Sequence, residues 1–459
     1  MTVTAQQDSQ ALADLVAKYD GRAPRYTSYP TAVQFAPDVG EATYRQWLSE
    51  LSGADPVSLY MHVPFCTRLC WYCGCNTRAV NRHEPVAAYV GKLLDEIRML
   101  GQALPMRLPA NALHFGGGTP NMLSVDELDV LFGALGQVFE LSPDIEVATE
   151  IDPPALTREW VMAGARHGLR RASLGVQNLS PEVQAAVDRK GSFEEVARCV
   201  GWLREAGVAS INLDLMYGLP YQTTTNTLAT IDAILGLRPE RLALFGYAHV
   251  PWMKSHQQLI AEEALPGPAA RLDQSEAAAE RLVAEGYVRI GLDHFALPTD
   301  ELAIALAEGR LRRNFQGYTT DAARTLIGMG ASAIGAFPQG YVQNVTRELD
   351  WRAALDRGEL PIARGVALTD EDRFRGEIIE RLMCDFAVDL QAVCVRHGRS
   401  LADLALILAR LEPFRRDGLI ESDGSAVRVV GAGRLVVRSI CAAADAYFDA
   451  QQGRHAKSL

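Results

Sequence analysis

The sequence predicts an α/β fold built on parallel strands, and three observations predict it. Six short β-rich runs recur from residue 57, each separated from the next by a helical stretch. The helical stretches carry start signals: Ser124 with Glu127 and Ser192 with Glu195 read as capping boxes, and Pro181 follows Ser180 at a first helical position. Glycine, cysteine and ionisable residues then gather at the ends of the runs, where parallel α/β proteins bind ligands. An open doubly wound sheet and a partial (β/α)6 barrel both fit this pattern.

Taken in order, residues 1–50 form an arm. It has a helical start at Gln10 to Lys18, then the extended, turn-rich segment Gly21-Arg-Ala-Pro-Arg-Tyr-Thr-Ser-Tyr-Pro-Thr31. The arm reads either as a surface strap packed by its tyrosines or as a lid closing over the barrel mouth. The α/β body is expected at 51–300, with strands at Val57–Val63, Ala112–Phe115, Ile145–Glu150, Arg171–Val176, Ser210–Leu215 and Arg241–Tyr247. A turn-rich connector follows at 301–365, with Arg313-Asn-Phe-Gln-Gly-Tyr318 and the small-residue run Gly328 to Gly335. Residues 366–459 are expected to be mostly helical: helices at 370–384, 387–397 and 400–417, a hairpin at 419–430 turning at Asp423-Gly424, and a last helix at 431–450. That order resembles a winged helix. With 13 Lys+Arg against 14 Asp+Glu, the segment has a poor electrostatic footprint for DNA, so a cap or partner domain is expected.

Composition narrows the function classes. Of 459 residues, 48% are hydrophobic and 22% charged, which excludes global disorder. A net charge of -11 argues against a nucleic-acid coat or a polybasic membrane-surface protein. No run reaches the roughly 18 apolar residues of a membrane span, and Met1 to Asp20 does not read as a secretory signal, so a cytoplasmic location is expected. No exposed helix seam stands out, which favours a monomer.

Half of the eight cysteines lie between positions 66 and 75, in Cys66-Thr-Arg-Leu-Cys70-Trp-Tyr-Cys73-Gly-Cys75. Thiolates are soft ligands for zinc or iron–sulfur centres. A zinc knuckle more often uses two separated Cys-x-x-Cys pairs, and a disulfide is disfavoured in a reducing compartment. Cys-x3-Cys-x2-Cys after the first strand of an α/β barrel resembles the radical S-adenosylmethionine (SAM) superfamily. Further segments resemble one of its families, the oxygen-independent coproporphyrinogen III oxidases (dehydrogenases). They are Pro24-Arg-Tyr-Thr-Ser-Tyr-Pro-Thr31, Tyr60-Met-His-Val-Pro-Phe-Cys66, His114-Phe-Gly-Gly-Gly-Thr-Pro120, Gly175-Val-Gln177, Asn212-Leu-Asp214, Tyr247-Ala-His-Val250, Gly291-Leu-Asp-His-Phe295 and Arg313 to Thr319.

The resemblance implies a partial (β/α)6 radical SAM barrel and a two-step reaction. The ring A and B propionates of coproporphyrinogen III are oxidatively decarboxylated to vinyl groups, giving protoporphyrinogen IX in haem biosynthesis. It implies one 4Fe–4S cluster held by Cys66, Cys70 and Cys73, with the fourth iron open to SAM, and Cys75 as an extra thiol. It also implies two SAM molecules, cleaved to methionine and 5′-deoxyadenosine. Matched positions for the cluster-bound SAM are Tyr60, Gly117, Glu150 and Ile334. Those for the second are Tyr72, Gly118, Thr119, Gln177, Arg189, Asp214 and Ala248. Read alone, the glycine run serves a tight turn equally well, and Glu150 and Asp214 serve as paired strand-end acids. Tyr72 stands where the family has phenylalanine, so its hydroxyl needs a partner if buried. Arg25, Arg312 and Arg313 are candidate cations for the four substrate carboxylates, with His62, Tyr26 and Tyr29 as hydrogen-bonding candidates. A flavodoxin- or ferredoxin-like protein is the expected electron donor; the acceptor is left open. Competing readings are a haem-trafficking relative, a radical SAM methyltransferase or haem-cleaving relative, and a zinc-stabilised interaction module.

Overall fold

A computed structural model describes residues 14–448, apart from residues 17 and 20–22. Residues 10–13 of the expected first helix therefore lie outside the described residues, as do Gly21, Arg22 and the end of the expected last helix; residues 14–16 and 18–19 are helical. The body is a sheet of 12 strands. They are β1 (Val57–Val63), β2 (Leu108–Gly117), β3 (Phe139–Ile151), β4 (Leu169–Gln177), β5 (Ser210–Tyr217), β6 (Arg241–Gly246), β7 (Val288–Ile290), β8 (His294–Ala296), β9 (Leu326–Met329), β10 (Ile334–Phe337), β11 (Gly340–Asn344) and β12 (Ile362–Ala367).

Strands β1 to β6 lie side by side in sequence order and all parallel, with β9 parallel to β1 on the other side. A doubly wound sheet reverses its strand order at a switch point, and this one does not. Ser58, His114, Thr149, Ser173, Asn212 and Phe245, one from each of β1 to β6, line a single cavity together with Leu326 of β9. Strands can share a cavity this way only if the sheet curls, so the partial barrel is the form adopted. Both expected capping boxes are present at Ser124 and Ser192, and Pro181 opens its helix.

The connector holds more regular structure than its composition predicts. It supplies helix Glu301–Ala307, the hairpin Arg312–Asn314 with Gly317–Thr319, and β9 to β12 of the main sheet. Leu326–Met329 and Ile334–Phe337 each carry a glycine, which weakens a strand signal. Gly328 is needed there because a Cβ would stand 2.8 Å from the Ile334 carbonyl oxygen.

The arm divides between two cores. Tyr44, Trp47 and Leu48 of helix Glu41–Ser49 join the barrel core. Tyr26 and Tyr29 are buried with the C-terminal helices, and the Tyr26 hydroxyl donates to Asp445 at 3.0 Å. Residues 23–36 therefore behave as a strap tied to the C-terminal segment. In that segment helix Asp370–Asp385 ends at Phe386, whose φ is 54°. Ala387–Asp389 then forms a strand of a three-stranded sheet with Ala426–Val429 and Ile420–Ser422, so the expected helix at 387–397 shortens to Leu390–Arg396. The Asp389 side chain, accepting from the Ala392 N–H at 2.8 Å, sets that later start. The helix expected at 400–417 begins as a 3-10 turn, Leu401–Leu404, before Ala405–Arg416. The last expected helix reduces to a 3-10 turn, Gly431–Val436, and a short helix, Val437–Cys441. No helix among the described residues is long and apolar enough to cross a membrane.

Candidate active site

The loop that follows β1 is closed at its base. Phe65–Cys66 pairs with Arg78–Ala79, and the Val80 N–H donates to the Cys66 carbonyl at 2.8 Å. Its tip is pinned by the Trp71 N–H on the Val187 carbonyl at 3.0 Å and turns where the Cys73 N–H reaches the Cys70 carbonyl at 3.1 Å. The chain wraps so that Cys66, Cys70, Cys73 and Cys75 line one cavity of about 440 Å³. All eight cysteines are free thiols, which removes the disulfide alternative.

The sulfurs have hydrogen-bonding partners. The Thr119 hydroxyl donates to Cys66 Sγ at 3.4 Å, and Thr77 Oγ1 lies 3.2 Å from the same sulfur. Arg189 Nη1 donates to Cys70 Sγ at 3.7 Å. The Cys75 thiol, hydrogen-bonded to Cys73, draws the Cys73 pKa down to about 7, whereas burial pushes Cys66 up. Among the described residues no group of three His, Cys, Asp or Glu side chains could hold a metal ion by itself. The thiols instead border a shared space. Soft sulfur donors, an open volume and hydrogen bonds to the sulfurs fit an iron–sulfur cluster better than a closed zinc knuckle.

The cavity wall comes from the ends of β2 to β5: Gly117, Gly118 and Thr119, then Glu150 and Asp152, then Gln177, and Asp214, with Tyr72 and Arg189 opposite. The glycine run has a packing reason of its own. A Cβ on Gly117, whose φ is +115°, would stand 2.6 Å from the His62 ring, and one on Gly118 would stand 2.5 Å from the Phe65 carbonyl oxygen. With both bare, the Gly117 N–H donates to Glu150 Oε2 at 2.9 Å. Gln177 takes a left-handed backbone conformation, φ 66°, where β4 breaks off, a strained geometry that cavity-lining positions often carry. Arg189 is shared between Asp152, at 2.8 Å, the Gly175 carbonyl and the Cys70 sulfur, so its carboxylate partner here is a side chain of the chain itself. Burial pushes the Tyr72 hydroxyl well above its usual pKa, and the Cys70 thiol is its hydrogen-bond partner.

Asp214 is held by the Ser173 hydroxyl and the Asn212 amide, each donating at 2.7 Å. Burial nevertheless lifts its pKa to about 6, and the Glu150 charge adds to the rise. The folded chain therefore binds a proton that the unfolded chain has released between about pH 4 and pH 6, so this group's contribution to stability falls as pH rises through that window. A ligand hydroxyl donates more strongly to the ionised, acceptor-only form than to the protonated one. Binding of a hydroxyl-bearing ligand at Asp214 is thus expected to strengthen as pH rises through about 6, and an Asp214→Asn variant is expected to lose that step; calorimetric titrations from pH 5 to 8 measure it.

Eleven of the fourteen expected site residues border the thiol cavity along with Cys75, and Tyr60, Ala248 and Ile334 do not. Tyr60 stands behind Glu150, stacked on His114 with ring centroids 5.8 Å apart. Ala248 lines a separate pocket of about 80 Å³ with Arg25. Ile334 opens β10, its carbonyl against Gly328. His62 is buried, with Nε2 2.9 Å from the Asn76 carbonyl and Nδ1 3.0 Å from the Tyr60 hydroxyl, and burial lowers its pKa. The barrel lumen, about 230 Å³, shares Glu150, Ser173 and Asp214 with the thiol cavity. It shares Asn314, Thr319, Asp321 and Leu326 with an outer chamber of about 750 Å³ that Tyr26, Tyr29, Arg312 and Arg313 border. The three spaces therefore adjoin one another in series.

Sequence reasoning missed the segment after β6 that braces the cysteine loop. Lys254 Nζ donates to the Cys75 carbonyl at 3.0 Å, His256 Nε2 lies 2.7 Å from the Cys73 carbonyl, and Gln257 Nε2 donates to the Tyr72 carbonyl at 3.1 Å. These contacts go to backbone atoms far away in sequence, so no local spacing encodes them. Thr77 and Asp152 also went without a role, because their partners, Cys66 Sγ and the Arg189 guanidinium, are side chains that only the fold brings to them.

A thiol-lined cavity at the carboxyl end of a parallel partial barrel is the architecture of the radical SAM superfamily, whose family model matches residues 60–234. Residues 368–436 match the HemN C-terminal domain. The oxygen-independent coproporphyrinogen III oxidase of Bradyrhizobium diazoefficiens is 47% identical over 448 residues, covering 97% of this chain and 100% of that one. The corresponding enzyme of Pseudomonas aeruginosa is 40% identical over 95% of each chain. The solved structure of coproporphyrinogen III oxidase (HemN) from Escherichia coli, described as a radical SAM enzyme, matches with a TM-score of 0.89 at 37% identity, over 92% of this chain and 97% of that one. The chain belongs to the oxygen-independent coproporphyrinogen III oxidase family.

Proposed function

We propose that the chain converts coproporphyrinogen III to protoporphyrinogen IX without oxygen, oxidatively decarboxylating the ring A and B propionates to vinyl groups in haem biosynthesis. The observation that carries this reading is the gathering of Cys66, Cys70, Cys73, Glu150, Gln177 and Asp214 around one cavity that adjoins the barrel lumen, in a chain alike to its relatives from end to end. Bound there, a 4Fe–4S cluster and two SAM molecules supply hydrogen-atom abstraction from an unactivated carbon, which no side chain performs.

The chain's own residues hold and orient. Cys66, Cys70 and Cys73 would hold the cluster and leave it open to SAM. Glu150, fixed by the Gly117 N–H, accepts from the ammonium or ribose of the first SAM. Tyr60 and Ile334 support that site from behind. Asp214, Gln177, Thr119, Tyr72 and the Gly118 backbone form the second SAM site, and Ala248, in its separate pocket, stands apart from it. Arg189 steadies Cys70 and Asp152 rather than serving as a free cation. The outer chamber admits the macrocycle, and Arg312 and Arg313 meet its carboxylates. On this reading the chain works in the cytoplasm as a monomer, reduced by a flavodoxin- or ferredoxin-like donor and passing the substrate's electrons to an acceptor yet to be assigned.

An anaerobic assay on cluster-reconstituted protein with coproporphyrinogen III, SAM and reductant tests the reading by mass spectrometry. Protoporphyrinogen IX with two 5′-deoxyadenosines per product is expected, on the order of one per vinyl group formed. SAM cleavage with the porphyrinogen left intact would move the assignment to a haem-handling relative.

A further inference from the structure

Arginines gather around one small cavity beside β6. Arg25 comes from the strap, Arg271 from helix Pro268–Ala284 and Arg289 from β7. Arg313 comes from the hairpin at 312–319, and Arg434 and Arg438 come from the C-terminal segment. Against these six, Asp293 is the one carboxylate among the described residues that border the cavity. The chain as a whole is acidic, at a net -11, so the cluster does not follow from composition. Like charges this close repel one another, and an opposite charge among them is strongly favoured.

Three of the arginines have partners within the chain. Arg271 Nη2 donates to the Tyr247 carbonyl at 2.8 Å, Arg438 Nε donates to the Pro24 carbonyl at 3.0 Å, and Arg289 lies 3.2 Å from Glu276. Arg25, Arg313 and Arg434 make no ion pair among the described residues. Arg313 lies over the Tyr318 ring, 4.4 Å from its centre, and its Nε and Nη1 are buried with no acceptor. Leaving such donors without an acceptor is costly. Arg434 lies 4.4 Å from the centre of the Phe386 ring; burial lowers its pKa, and the Arg289 charge adds to the fall. Burial raises the Asp293 pKa, but His294, Arg313 and Arg25 outweigh it and hold it at about 2. Asp293 is therefore already ionised, and the cavity is still cationic. Its volume is about 80 Å³, far below the roughly 300 Å³ of a small-molecule site, so it has room for one acid group and not for a whole cofactor. Through Arg313 it adjoins the outer chamber.

We propose that this cavity binds one compact oxyanion group, a carboxylate or a phosphate, held by Arg25, Arg313 and Arg434. Guanidinium forks match two oxygens of either group. Two sources supply that chemistry: an acid arm of a larger ligand reaching in from the outer chamber, and free inorganic phosphate. The first source rests on the substrate reading above, and the second does not. The bound anion offsets the repulsion among cations that three separate parts of the chain bring together.

The test uses the full-length, cluster-loaded chain and the variants Arg25→Gln and Arg434→Gln, singly and together, with Arg434→Lys as the control that keeps the charge. Calorimetric titration and thermal unfolding with sodium phosphate are run at fixed ionic strength, so that general screening stays constant. Coproporphyrin III, a tetracarboxylate, is titrated separately by its fluorescence. The double variant is expected to need roughly 10- to 150-fold more of the ligand that uses the cavity, with Arg434→Lys between it and the parent. Weakened phosphate binding assigns the free anion; weakened porphyrin binding, with phosphate competing in the parent, assigns the acid arm. Equal affinities of parent and double variant for both probes overturn the proposal, and so does binding of neither probe to the parent. Phosphate binding that the double variant loses, in a parent that neither binds the porphyrin nor turns over coproporphyrinogen III, would overturn the substrate reading and leave the oxyanion site standing. Turnover of coproporphyrinogen III with both affinities unchanged in the double variant would do the reverse.

Discussion

Serine at Cys66, Cys70 or Cys73 is expected to abolish both iron retention and SAM cleavage, whereas Cys75→Ser is expected to leave both in place. The hydroxyl differs from the thiol in the property that matters: it is a hard donor and stays protonated where a thiolate forms. The fold should survive each change, because the loop is held by backbone bonds and not by sulfur. The Trp71 N–H on Val187, the Cys73 N–H on Cys70 and the Lys254 bond to Cys75 all remain in the variants. Cys75 is set apart by its role as donor to Cys73, which a serine hydroxyl reproduces in kind. The loss is expected to reach background, since no remaining group can take hydrogen from an unactivated carbon. Iron and sulfide content, the visible absorption of the reconstituted chain and 5′-deoxyadenosine yield read the result. Iron loss in Cys75→Ser with retention in Cys73→Ser would exchange their roles.

Where function depends on local order, the sequence carried it. Four cysteines within ten residues, a glycine run after the next strand and acids closing the following ones already describe a face of a barrel, because strand ends and their loops are local features. The same logic fails for β9 to β12. They are short, interrupted by Gly328, Gly335 and Gly365, and form only by pairing with a barrel edge assembled from distant residues. Distance also hid the His256 and Lys254 braces, whose partners are carbonyl oxygens some 180 residues away. The hydrogen bonds to the cysteine-loop sulfurs from Thr119 and Arg189 belong to the same kind: spacing points to candidate ligands, and folding alone brings in the groups that hydrogen-bond their sulfurs. At the C-terminus the helical periodicity at 387–397 was overridden by strand pairing with Ala426–Val429, a tertiary preference that outweighs a weak local one.

Glutamine at position 150 is expected to weaken SAM binding without removing the cluster. Burial raises the Glu150 pKa, but His114 and the Gly117 N–H more than offset it, so the carboxyl stays ionised below its usual range. One oxygen is tied to the Gly117 N–H at 2.9 Å and the other lies 3.9 Å from His114 Nε2, with the side chain open to the cavity. An ionised acceptor facing a ligand ammonium makes a charge-assisted bond worth about 1.5–3 kcal/mol. Glutamine keeps the shape and can still accept from Gly117, but it then turns an N–H toward the ammonium, where a donor meets a donor. The expected result is a roughly 10- to 150-fold higher KM or Kd for SAM. Iron content should be unchanged, because Glu150 holds none of the thiols. Glu150→Asp keeps the charge but is one methylene shorter, so it cannot both reach Gly117 and face the ligand, and an intermediate effect is expected. Equal SAM affinity in the parent and Glu150→Gln would show that the charge at this strand end serves the barrel alone, and the ammonium would then have to find its acceptors in the backbone at the end of β2.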